Sequence, residues 1–293
     1  MPKAERAAVV AADAAALATR HAAAAAGGTG GVAHPFEVAD ADHCETGAEA
    51  YAHVAPFLTA LAGVLGKAPA DLAIYDPYYC TGAVTGHLAR LGFTNVYHVC
   101  EDFYAAIAAG TTPDYDVLLT NPAYSGDHVA RLLNFAAARG KPWFALMPAY
   151  VATKPAFVAS LGPAGAAATY ALYPRKRYVY WTPKGLRTKT QSHASAWGNR
   201  TSPFVSFWYL NFGRHDAAMR RWYATAPPAA RGDAVFVTSM RALPRGFLEG
   251  GGGGAGGGAG GAGGGAAAGH KRPRGPAPAS GSPRPASHSR RVE

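Results

Sequence analysis

Apolar residues in this chain gather in short unbroken runs separated by amphipathic stretches, a rhythm that predicts buried strands alternating with helices. Tyr51, Val54, Leu58, Leu61 and Leu65 recur at helical spacing. A strand is expected over residues 72–75, then a helix carrying Val84, Leu88 and Leu91. Residues 95–100 form the second strand candidate, and Phe103 to Ile107 begin a helix. Val117, Leu118 and Leu119 lie between Pro113 and Pro122, a run too short for a helix, and so read as a buried parallel strand. Residues 127–138 predict an amphipathic helix with Val129, Leu132, Leu133 and Phe135 facing inward. Gly140, Lys141 and Pro142 end it, residues 143–147 supply the next strand, and Pro148 closes that one. Residues 204–212 form the last clear strand, with residues 234–237 as an edge candidate. Consecutive parallel strands need crossover helices, so the economical fold is a doubly wound, mostly parallel α/β sheet in one domain.

Composition sets the boundaries of that domain. Residues 1–34 are dominated by alanine and end near Gly27, Gly28, Gly30 and Gly31, which fits a fraying helix or a disordered arm. Glu5, Asp13 and the scarcity of serine argue against a transit peptide. The folded domain is expected over residues 35–245. Residues 246–293 turn to glycine and alanine, then to a Pro/Ser/Arg tail containing His270, Lys271, Arg272, Pro273 and Arg274, which cannot bury a core. That tail reads equally as a nuclear address, a nonspecific polyanion tether or inert composition drift.

The charge is unevenly placed. Fourteen of the eighteen carboxylates but only five of the twenty-eight lysines and arginines fall in residues 1–127, a formal charge of −9, and the remainder carries +19. Between Asp127 and Asp216 there is no carboxylate, while twelve lysines and arginines occur. A surface facing a polyanion needs such a stretch. Cys44, Cys80 and Cys100 lack the paired spacing of zinc sites or disulfide scaffolds and read as reduced thiols. No apolar run approaches the roughly 20 residues of a membrane span, and the start lacks a secretory apolar region. The expectation is an intracellular protein of the nucleus, the cytoplasm or an organelle, with no membrane partner.

Candidate chemistry centres on the end of the strand at Val117. In open α/β sheets ligands bind outside the carboxyl ends of the strands, which places Asn121, Pro122, Ala123 and Tyr124 where a substrate would be held. This Asn-Pro-Ala-Tyr turn resembles the N-P-P-Y signature of class I S-adenosylmethionine-dependent amino-methyltransferases, which methylate the exocyclic nitrogen of adenine or, in one branch, a glutamine amide. The resemblance implies a Rossmann-like sheet whose strand at residues 204–212 belongs to an antiparallel closing hairpin. It also implies catalytic roles for Asn121, Pro122 and Tyr124. The amide oxygen of Asn121 and the main-chain oxygen of Pro122 would each accept one N–H bond, which favours a more nucleophilic nitrogen. Tyr124 would stack on an extruded base, a contact worth roughly 1–3 kcal/mol. Ala123 departs from the family, where a second proline stands. Losing that ring loosens the turn by about 0.5–1 kcal/mol of chain entropy without removing any of those groups.

The same resemblance implies S-adenosylmethionine as cofactor and a binding set for it. Asp76, Pro77 and Gly82 match the family's Asp-Pro-x-x-Gly-x-Gly turn, with Cys80 where its first glycine usually sits. An acidic residue at the next strand end holds ribose hydroxyls in the family, and Glu101 and Asp102 stand there, with Asp102 reading equally as a helix cap. Asn121 joins this cofactor set. Only 39 positions separate Gly82 from Asn121, so a contracted sheet is expected in which Glu101 and Asp102 share the cofactor work. Glu45, Thr46 and Gly47 stand where many relatives carry a Thr-Pro turn lining the methionine end, though a capped packing helix explains them as well. No metal is required.

Residues 173–189 interleave basic and aromatic side chains. Arg175, Lys176, Arg177, Lys184 and Arg187 are candidates for phosphate contacts, and Tyr178 and Tyr180 for stacking. The alternation of Tyr178, Tyr180 and Thr182 also suits a plain half-buried strand. Residues 185–200 read as a loop able to order over substrate. The preferred reading is an adenine-N6 methyltransferase acting on RNA or DNA. Its alternatives are a glutamine-amide methyltransferase and a nucleic-acid-binding module that has lost turnover. A chain without a separate target-recognition domain leaves room for an activating protein partner.

Overall fold

The computed structural model describes residues 44–178, 180–181 and 205–243. The alanine-rich arm, the basic tail, the loop at residues 185–200 and the site candidates Lys184 and Arg187 lie outside the described residues.

The chain enters through β1 (Glu45–Thr46) and α1 (Ala48–Val64). Four strands with intervening helices follow: β2 (Ile74–Tyr75), α2 (Ala83–Arg90), β3 (Val96–Tyr97), α3 (Phe103–Ala109), β4 (Val117–Thr120), α4 (His128–Arg139) and β5 (Trp143–Pro148). The second half adds α5 (Pro155–Ala167), β6 (Tyr170–Tyr173), β7 (Tyr180–Trp181), β8 (Ser206–Asn211), α6 (Asp216–Thr225), α7 (Pro228–Arg231) and β9 (Val235–Val237).

Seven strands form one sheet in the order β3-β2-β4-β5-β8-β6-β9. The pairs β2–β3, β2–β4 and β4–β5 are parallel, and each is served by a helical crossover. β8 inserts antiparallel between β5 and β6, and β9 adds antiparallel to β6. The sheet is therefore a Rossmann-like, doubly wound one with a parallel block and an antiparallel closing section. β3 forms its flank, with only α3 between β3 and β4.

Strand side chains alternate between two cores, as the two-residue period requires. Ile74, Val117, Leu119, Phe144, Leu146, Trp208 and Leu210 face α1 and its neighbours Leu58, Leu61 and Met219. Tyr75, Leu118, Ala145, Met147, Phe207 and Tyr209 face Phe103, Leu132, Leu133 and Phe157 of the opposite helices. Both faces of the central strands are covered, which is why their sequence is continuously apolar. The Trp208 indole donates to the carbonyl of Ala50 at 2.8 Å, so its one polar atom is satisfied inside the first core.

Several helix ends are written locally. Asp102 caps α3 by accepting from the main-chain N–H groups of Tyr104 and Ala105 at 2.8 and 3.0 Å. Gly140 ends α4 in the left-handed region at φ 60°. A second, two-stranded ribbon pairs β1 antiparallel with β7, setting Glu45 opposite Trp181 and Thr46 opposite Tyr180. Among the described residues no helix is long and apolar enough to cross a membrane.

Candidate active site at the carboxyl edge of the sheet

The carboxyl ends of β2, β3 and β4 lie side by side because the three strands are parallel and in register. Asn121 follows β4 directly and is half-buried. Its amide nitrogen donates to the Thr46 hydroxyl at 2.9 Å, and its amide oxygen accepts from the Tyr124 hydroxyl at 2.5 Å. The Thr46 hydroxyl in turn bonds the buried phenol of Tyr51. Two groups thus fix which way the amide points, its oxygen toward the turn and its nitrogen toward β1. Pro122 is buried immediately behind it.

Tyr124 also bonds the carbonyl of Leu146 at 3.1 Å, and burial pushes its phenol upward from the ordinary range. Its hydroxyl is therefore spent on the turn, and only the part of the residue that stays exposed is available to a partner. The buried hydroxyls of Tyr180 and Ser206 lie beside it.

The turn after β2 is held more tightly than its sequence suggests. Asp76 is buried, accepting from the Thr120 hydroxyl at 2.5 Å and from the Tyr78 N–H at 3.3 Å. The His98 ring nitrogen stands 3.5 Å from its other oxygen and 3.1 Å from its carbonyl. Burial pushes the Asp76 carboxyl above its usual value, and His98 and Thr120 oppose that shift. Asp76, expected in the cofactor set, uses its oxygens to tie the ends of β2, β3 and β4 together. Pro77 is buried behind it.

Gly82 adopts φ +86° at the start of α2, a conformation that favours glycine. A Cβ there would lie 2.9 Å from the Tyr79 hydroxyl. The close approach allowed by Gly82 is taken by this chain's own Tyr79, whose ring stacks on His98 at 4.7 Å. Cys80 and Cys100 are half-buried near Tyr79, and Cys44 sits just before β1. Among the described residues no group of three or more His, Cys, Asp or Glu could hold a metal ion.

Glu45 had no catalytic expectation of its own, yet its carboxylate accepts both the N–H and the hydroxyl of Thr81 and so fastens β1 to the Gly82 turn. Glu101 stands half-buried at the end of β3. Asp102 takes the helix-cap role the sequence also allowed: one of its carboxylate oxygens accepts both N–H groups of the α3 cap.

The basic and aromatic segment divides. Arg175, Lys176 and Arg177 are exposed, with the Arg175 Nε donating to the carbonyl of Asp233 at 3.2 Å. Tyr178 and Tyr180 are only 4% and 5% exposed, so neither ring offers a stacking face, a correction to the substrate assignment. Tyr178 shares a hydrogen bond with His53 at 3.0 Å, and Tyr180 packs in the α1 core.

The structure brings together Asn121, Pro122, Tyr124, Asp76, Pro77, Gly82 and Glu101, and joins Tyr180 to them through β1. It adds Tyr51, Tyr79, His98 and Thr120, and gives Glu45 and Thr46, which the sequence had set near the cofactor, their partners in Thr81 and Asn121. Thr120 and Thr46 stand next to predicted positions, but nothing in a lone threonine identifies its partner. Searches against protein-family models, curated proteins and solved structures give no match.

Proposed function

We propose that this chain is an S-adenosylmethionine-dependent methyltransferase acting on the exocyclic amine of adenine in RNA or DNA. The observation that carries the reading is the oriented amide of Asn121, its nitrogen engaged by Thr46 and its oxygen turned to the Asn-Pro-Ala-Tyr turn at the end of β4. An exocyclic amine conjugated to a ring attacks poorly. Accepting its two N–H groups on the Asn121 oxygen and the Pro122 main-chain oxygen stabilises the transition state more than the ground state, because the nitrogen becomes more acidic as it attacks. For that, the substrate N–H takes over from the Tyr124 hydroxyl at Asn121, and Tyr124 keeps its second acceptor at Leu146.

The cofactor fits this edge on one condition. Glu101, four residues beyond β3, would take the ribose hydroxyls, and α2 opens from Gly82 with no side-chain cap on its first N–H groups. The Tyr79 ring must swing off Gly82 before anything reaches that backbone. When bound, the cofactor supplies the sulfonium methyl. This chain aligns donor and acceptor and grips the amine, and the proton that the methylated nitrogen must lose would pass from the Asn121 and Pro122 oxygens to solvent, so no acid–base residue is required.

The Tyr79 position is also the observation that favours the alternative of a nucleic-acid-binding module without turnover. Labelled S-adenosylmethionine offered with separate RNA, DNA and protein pools distinguishes the readings. Label in RNA or DNA supports the proposal, label in protein points to a glutamine amide, and no label in any pool defeats both enzyme readings.

A further inference from the structure

The sheet register places more on this edge than the Asn121 site. β6 runs in the direction of β5, because both pair antiparallel with β8, and Leu172 and Leu146 flank Trp208 at the same level. Residues leaving β6 after Tyr173 therefore emerge at the edge where Pro148 and Thr120 emerge from β5 and β4. They carry Arg175, Lys176 and Arg177, all exposed. The chain then runs back across the edge, fixing Tyr178 to His53 of α1 and pairing Tyr180 with Thr46, the residue that holds the Asn121 amide. The basic run is thus tied by a short, anchored stretch to the candidate reacting centre.

The turn leaving β5 (Ala149–Thr153) adds to the same side. Tyr150 is half-buried there, and the exposed Lys154 ammonium stands 5.8 Å from its ring. Buried Tyr209 sets this turn, its hydroxyl lying 2.9 Å from the carbonyl of Pro148, 3.2 Å from that of Ala149 and 3.2 Å from the N–H of Ala152. The opposite end of the edge carries the half-buried carboxylates of Glu101 and Asp102, with those of Glu45 and Asp76 buried beside them. Asp233 is the acidic neighbour of the basic run, and its carboxylate lies 3.1 Å from His53.

We propose that the β5–β6 end of this edge is a phosphate-binding track for single-stranded nucleic acid, running over Lys154, Arg175 and Lys176 with Tyr150 as a stacking face and ending at Asn121. The end point rests on the methyltransferase reading; the track itself rests on register, exposure and charge. A single strand fits because a base gripped at Asn121 is out of its stack, and because the acidic end of the edge repels a duplex continuing past it.

The test uses the full chain and a fluorescent mixed-sequence oligonucleotide of about 12 nucleotides, as RNA and as DNA, with anisotropy read between about 50 and 200 mM salt. Lys154→Ala/Arg175→Ala/Lys176→Ala is expected to weaken binding at least about tenfold and to flatten the log–log salt slope by about 2. Arg139→Ala/Arg214→Ala/Arg221→Ala removes the same charge elsewhere and is expected to stay within about twofold of the parent. Ultraviolet cross-linking is expected to recover the peptide containing Tyr150. Equal weakening by both triple variants, cross-links confined to residues 246–293, or equally tight capture of a polyglutamate peptide through Lys154, Arg175 and Lys176 each overturns the track. Methyl transfer is measured separately. Binding through Lys154, Arg175 and Lys176 without transfer defeats the catalytic reading alone, and transfer with binding independent of them defeats the track alone.

Discussion

Thr46 accepts the amide N–H of Asn121 at 2.9 Å across 75 positions of sequence, and its main chain pairs with Tyr180 of the segment that carries the basic run. One hydroxyl thus couples the orientation of the candidate catalytic amide to the course of the candidate substrate strand. Thr46→Val keeps the shape but removes the acceptor, freeing the amide to invert. The expected result is a fall in kcat of about 10- to 100-fold, on the scale of losing one oriented dipole. Cofactor affinity measured by calorimetry should change little, and Thr46→Ser should restore the rate. Equal failure of Thr46→Ser would assign Thr46 to packing.

Asn121→Ala should reduce the rate of methyl transfer about 100-fold or more while leaving cofactor affinity nearly intact. A comparable loss of cofactor affinity would show that the amide serves the cofactor instead of the amine. Single-turnover transfer and equilibrium binding on the same preparation separate the two.

Gly82→Ala combines a left-handed backbone with a Cβ 2.9 Å from the Tyr79 hydroxyl. The expected cost in urea unfolding is about 1–3 kcal/mol. Adding Tyr79→Phe removes the hydroxyl and should recover part of it, since the backbone strain remains while the contact is relieved.

Asp76 gives a pH dependence of unusual sign. Its carboxyl is raised by burial, so the folded state holds a proton more readily than the unfolded chain, whose value is near 3.8. Its contribution to stability is fully present below that value and declines as pH rises through the folded-state value. Asp76→Asn keeps the oxygen that receives Thr120 and Tyr78 and removes the charge. Urea midpoints measured from about pH 3 upward should fall more steeply with rising pH in the parent than in Asp76→Asn. Parallel curves would mean that the partners of Asp76 outweigh its burial.

Much of the parallel block was legible in the sequence. Val117 to Leu119 and Trp143 to Met147 are short, apolar and bounded by proline, and both became buried neighbours in the sheet. β6 and α5 were not foreseen. β6 is a four-residue run buried along most of its length with no alternation to mark it, and α5 is interrupted at Gly162, φ 69°, followed by Pro163. In the site, the position of Asn121 followed from its place after a buried strand, but its partners did not. Tyr178 and Tyr180 alternate as a half-buried strand does, and they are buried, but nothing in that alternation names His53, 125 positions away, as the partner of Tyr178. Glu101 and Asp102 are adjacent acids, and the course of α3 decides which becomes the cap.

Tyr209 acts as a rivet through the turn that leaves β5. Because the rivet is driven from inside the sheet, the path of that turn is inherited from the strands and owes little to the letters written between residues 149 and 153. Ala149 and Val151 stay committed to the core, but the positions between and after them can accept other side chains while the backbone keeps its course, so the fold offers a place where what is recognised can change without disturbing what holds the molecule together.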